Sequence, residues 1–418
     1  MKVSRERLQI IGRMIGILRE EKRQNKQNCW TQVRFCQNIC TPNTLKSIES
    51  GKVGLLDNIY EQLLAKLGLR YDEFPMIDEA IEKIVTELHE AIEYYDLEKI
   101  KDLTLLAMKV LKNVKGYVYY SELYALFFHL QHYYEDDIYL DEAMSEHYIS
   151  LLELFPSSVK DIVSILVFAS IKGKCVSNVN VYRRYVKTLD MEHSHLMCLK
   201  VNLMHYYYKI DERMKAIELI KCLENEFKTK NNPIRLLDTY NGAINLMGYI
   251  DKKLIDEYIE RTMKLLETRL IPVNKKSETY TNIADSYHRE KNYEKALKCF
   301  YESVSEGCEV LVFNYILIAD CQNHLGIPID IAELNKDDIK KFPKELRTMY
   351  NYFLSYKDEE VPPPLKQKLL MKRIVPLLQD DVLIDVFEYE LKKLVKLTNS
   401  YKDLSIFDEI VKQNINSL

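Results

Sequence analysis

Four short polar residues, Asn43, Thr44, Lys46 and Ser47, lie within about one and a half helical turns of one another, and Leu45 and Ile48 alternate with them. Amide, hydroxyl and ammonium groups at that spacing can hydrogen-bond base edges and phosphate oxygens in the major groove of double-stranded DNA. Gln32 and Thr41 flank them and are the expected phosphate contacts, since the amino end of a helix beginning at Thr41 attracts anions. A second set is Asn202, Asn241 and Asn282, each two positions before Met204, Ala243 or Ala284. A carboxamide offers both a donor and an acceptor, the pair needed to hold an extended peptide backbone without reading its side chains. Tyr208, close to Asn202, joins this set. Other chemistry finds no constellation. The nine cysteines include no Cys-x-x-Cys pair, and His129, His132, His193 and His195 lack a carboxylate set at ligand spacing. With no phosphate-cradling glycine loop and no nucleophile paired with a base, the expectation is a protein without enzymatic activity or cofactor.

The elements that must position these residues can be read from local signals. Residues 32–39 are expected to form a helix burying Phe35, Cys36 and Ile39. Thr41-Pro42 then supplies an N-cap hydroxyl and a proline suited to the first helical position, and Gly51 can close the second helix in a left-handed cap. Two short helices joined by a tight turn result, the second presenting Asn43, Thr44, Lys46 and Ser47 outward. Charge agrees with that placement. Residues 1–72 hold 13 Lys and Arg against 7 Asp and Glu, whereas residues 73–418 hold 46 against 56. A basic head suits phosphate attraction, and an acidic body argues against coating of nucleic acid by the whole molecule.

The segment resembles the helix-turn-helix of Cro/repressor-like regulators. More narrowly, Asn38-Ile39-Cys40-Thr41 followed by Leu45-Lys46-Ser47-Ile48-Glu49-Ser50-Gly51 is similar to the peptide-pheromone receptors of the PlcR, PrgX, Rgg and NprR group. It departs from their pattern at Asn38, where glycine is common, at Ser47, where a basic residue often stands, and after Gly51-Lys52, where no proline follows. The resemblance implies a homodimer that binds a palindromic operator and a short signalling peptide. Some relatives with long helical bodies act on response regulators, so the alternative is an interaction module that sequesters or dephosphorylates such a partner.

Beyond residue 72 the pattern is helical throughout. Only 11 glycines and 11 prolines, with 47% hydrophobic and 29% charged residues, point to an all-α protein, and with no 18-residue apolar run and no signal-peptide pattern behind Met1-Lys2 a cytoplasmic location is expected. Tyr280, Ile283, Ala284 and Tyr287, followed by Ala296 and Phe300, resemble a tetratricopeptide repeat, with small residues letting two helices approach. Fainter copies around 203–220 and 242–259 extend the pattern. The expected domains are a helix-turn-helix head over 1–72, a right-handed tetratricopeptide-like solenoid over 76–357, and a C-terminal helical cap or dimerisation segment over 365–418. The last two are separated by the Pro362-Pro363-Pro364 run.

Overall fold

The computed structural model describes residues 3–24, 28–52, 57–174, 179–247, 252–268, 271–305, 311–357 and 361–416. Lys26 and the thiols Cys175 and Cys308 lie outside them. The described residues are all-α: 22 α-helices and no strand, with one isolated parallel bridge between Arg70 and Tyr117. Among them no helix is long and apolar enough to cross a membrane.

The chain divides into two compact units, Met1–Leu236 and Leu237–Leu418. The first contains α1 (Arg5–Gln24), α2 (Gln32–Phe35), α3 (Pro42–Glu49), α4 (Asp57–Leu67), α5 (Pro75–Glu93), α6 (Leu97–Leu111), α7 (Val118–Asp136), α8 (Glu142–Leu151), α9 (Ser157–Lys174), α10 (Val179–Leu189), α11 (Met197–Lys209) and α12 (Arg213–Thr229). Helix α13 (Pro233–Met247) runs over the division point. The second unit continues with α14 (Lys252–Leu266), α15 (Val273–Arg289), α16 (Tyr293–Ser303), α17 (Val312–Leu325), α18 (Lys336–Lys340), α19 (Lys344–Leu354), α20 (Pro363–Leu369), α21 (Asp381–Thr398) and α22 (Lys402–Asn416).

Helices α5, α11, α12 and α15 end in the same way. Tyr95, Asp211, Asn231 and Lys291 adopt φ of 56°, 62°, 50° and 59°. The amide of each following residue then donates to the carbonyl five residues back, at 2.9 Å in all four: Asp96 to Ala91, Glu212 to Tyr207, Asn232 to Phe227 and Asn292 to Tyr287. This closure satisfies orphan carbonyls and turns the chain sharply into the next helix. It also lets a chain with few glycines make many short turns, at the strain of holding ordinary residues left-handed. Lys291 has no short polar side chain to offset that strain. Lys291→Gly is therefore expected to raise stability by about 0.5 to 1 kcal/mol, read as a higher urea midpoint at unchanged slope.

Packing follows the apolar pattern. Ile283, Ala284, Ala296 and Phe300 are fully buried where α15 meets α16, and Tyr280 and Tyr287 are half-buried beside them. Two expectations shift. Helix α2 ends at Phe35 rather than at residue 39, because Asn38 turns left-handed at φ 65° and redirects the chain toward the cap at Thr41. The break before the C-terminal segment is also shorter than the proline run suggests. Pro362 is the N-cap of α20 and Pro363 and Pro364 lie in its first turn, where a missing amide proton removes no helical bond.

Candidate functional site

Helix α3 is held from three sides. Leu45 and Ile48 are fully buried with Ile11 and Ile15 of α1 in the head's core. The two helices cross at Gly12, where an added Cβ would stand 2.4 Å from the Ile48 carbonyl oxygen, and the approach continues at Gly16, 3.0 Å from Glu49 Cβ. At the far end Arg19 grips Glu49 with two bonds, Nε to Oε1 at 2.5 Å and Nη2 to Oε2 at 3.1 Å, while its Nη1 donates to the Trp30 carbonyl at 3.0 Å. Both side chains are largely buried, with relative exposures of 6% and 10%. Gln32, expected at a phosphate, donates its amide to Glu49 Oε2 at 3.0 Å inside the head.

The caps form as anticipated. Thr41 Oγ1 accepts from the Thr44 amide at 3.1 Å and lies 2.9 Å from Thr44 Oγ1. Gly51, at φ 76°, closes α3 so that the Lys52 amide reaches the Ser47 carbonyl at 2.9 Å. Of the candidate DNA contacts, Asn43 and Lys46 are exposed and Ser47 is half-buried. Thr44 is half-buried and Thr41 exposed, their hydroxyls engaged in the cap. Arg34 on α2 and Lys52 after α3 are further exposed cations that the helix-turn-helix pattern did not single out. Burial, with Cys36 nearby, pushes the Cys40 thiol up and away from the reactive thiolate.

The asparagine set divides between the units. Asn202 and Tyr208 are half-buried on α11. In the second unit Asn282 is half-buried on α15, but Asn241 is only 5% exposed, and its Nδ2 donates to Thr279 Oγ1 across the α13–α15 packing at 3.0 Å. One turn further along α13, Asn245 is half-buried and lines a cleft of about 250 Å³ with Ile244, Ile255, Asp285, Ser286, Arg289 and Glu290. An amide and a hydroxyl beside the Asp285–Arg289 ion pair could bind a polar segment of peptide there. Sequence register alone could not separate Asn241 from Asn245, because which of two residues one turn apart faces inward depends on the neighbouring helix. Among the described residues no three His, Cys, Asp or Glu side chains are arranged to hold a metal ion.

Compared with protein-family models, curated proteins and solved structures, the chain matches none.

Proposed function

We propose that the chain is a peptide-responsive transcription regulator, which binds operator DNA as a dimer through α2–α3 and takes a short linear peptide on its helical body. The observation that carries this reading is α3 itself. A helix capped by Thr41 and Pro42 is fixed from behind by Gly12 and the Arg19–Glu49 pair, and it keeps the side chains of Asn43 and Lys46 exposed. A rigidly backed helix with short polar residues outward suits insertion in a major groove. The α15–α16 pair, its small residues buried at the crossing, and the repeated left-handed closures favour a tetratricopeptide-like body. The Asn245–Ser286 cleft and the half-buried Asn282 on neighbouring helices give a peptide backbone its donors and acceptors.

The test is a selection of duplexes from a random-sequence pool by the full chain, followed by titration of the recovered site. Lys46→Ala should weaken binding to every sequence and lower the salt slope by about one. Asn43→Ala should instead relax base preference at one position by about 1 to 3 kcal/mol. Failure of the full chain to enrich any sequence would reject the reading.

A further inference from the structure

The junction between the head and the helices after it is tied rather than loose, which bears on how a state of the body could reach α3. The connecting residues are pinned: the Arg70 amide donates to the Gly116 carbonyl at 3.1 Å, the Val118 amide to the Arg70 carbonyl at 2.8 Å, and the Phe74 amide to Tyr120 Oη at 2.8 Å. Helix α1 is fastened near both ends. Arg7 is 9% exposed, bonds Asp78 of α5 at 2.7 Å, and lays its guanidinium 3.7 Å from the ring centre of Tyr119 on α7. Fourteen residues on, about 21 Å along the helix, Glu21 accepts from His147 Nδ1 of α8 at 2.7 Å, and His147 Nε2 reaches Glu122 of α7 at 2.7 Å.

A neutral imidazole has one N–H, so it cannot donate to two ionised carboxylates at once; with Glu21 and Glu122 both charged, this geometry calls for the imidazolium. We propose that His147 is a positioning residue, a bridge between Glu21 and Glu122 that locks α1, and with it the recognition helix α3, to α7 and α8. The inference rests on the DNA-binding reading for its consequence but not for its geometry. Burial by itself would lower the His147 pKa; the hydrogen bonds it donates to Glu122 and Glu21, with their negative charge, outweigh it and raise the value to about 10. The other titratable groups beside the ring are His129 of α7, whose pKa burial lowers, and Tyr148 of α8, whose hydroxyl burial pushes up. Because the folded value lies above the usual 6.5, the stabilisation is complete below pH 6.5 and is lost as pH rises through about 10.

The test compares the full chain with His147→Gln and His147→Arg. In the parent at pH 8, ring ¹⁵N shifts should show both His147 nitrogens protonated. His147→Gln should speed amide hydrogen exchange in the last two turns of α1 about tenfold or more relative to α3. Its loss of thermal stability should be large at pH 6.5 and vanish above pH 10, and His147→Arg, a cation at every pH, should restore protection. On a two-half-site operator the glutamine variant should lose about tenfold in affinity while binding a single half-site as the parent does, because loosened heads must be ordered on two sites at once. A neutral ring at pH 8, or unchanged α1 exchange in His147→Gln, overturns the clamp. Normal clamp signatures with no DNA binding by any variant would reject the DNA reading instead.

Discussion

Glu49→Gln is expected to abolish operator binding and to lower the stability of the head by about 3 kcal/mol, the low end of the loss from cutting one partner of a buried ion pair, because Arg19 keeps Glu20 as a second carboxylate at 3.3 Å. The size follows from what is left behind. Arg19 keeps only 6% exposure, of the two bonds its guanidinium makes to Glu49 a carboxamide can accept only one, and the carboxylate that remains beside it, Glu20, is 37% exposed. Gln32 also loses a charged acceptor, and with it the link that holds the start of α2 against the end of α3. Thermal unfolding followed by the single tryptophan measures this well, because Trp30 sits in the same cluster, its carbonyl bound to Arg19. Gln32→Ala is the comparison. It removes one hydrogen bond and should lose about 1 kcal/mol. Equal losses in the two variants would show that the Arg19–Glu49 pair does not organise the head.

Gly12→Ala is the second large effect, and its sign is the informative part. Alanine in a helix interior normally stabilises by about 1 kcal/mol relative to glycine. Here the new Cβ would meet the Ile48 carbonyl oxygen at 2.4 Å, a backbone atom that cannot swing aside as a flexible side chain can. Relief requires α3 to move away from α1, so the expectation is a net destabilisation of about 1 to 3 kcal/mol. DNA affinity should fall further than the loss of folded protein explains, since a displaced α3 no longer presents Asn43 and Lys46 at groove depth. A stabilised Gly12→Ala protein would refute the close α1–α3 crossing.

What could be read from the sequence was local. The cap at Thr41-Pro42 and the left-handed Gly51 depend on residues within one turn, and both form as the residue types dictate. The length of α2 did not follow, because whether Asn38 continues a helix or turns left-handed is decided by the packing of the segment that follows. The ties that orient the head were out of reach for a different reason. Arg19 and Glu49 are 30 residues apart and Glu21 and His147 are 126 apart, and nothing in composition or periodicity pairs them. Asn241 illustrates the same limit within the body. Its spacing from Ala243 matches that of Asn282 from Ala284, yet it is turned into the helix packing toward Thr279.

Whether α3 reads DNA is decided by nuclease footprinting of the full chain on fragments of its own genome at low salt. Protected patches are expected in pairs, related by two-fold symmetry and spaced by about one helical turn or a multiple of it, with protection altered by the cognate peptide. Absence of any protected patch, with peptide and without it, or uniform coverage that ignores sequence, would contradict DNA reading by α3.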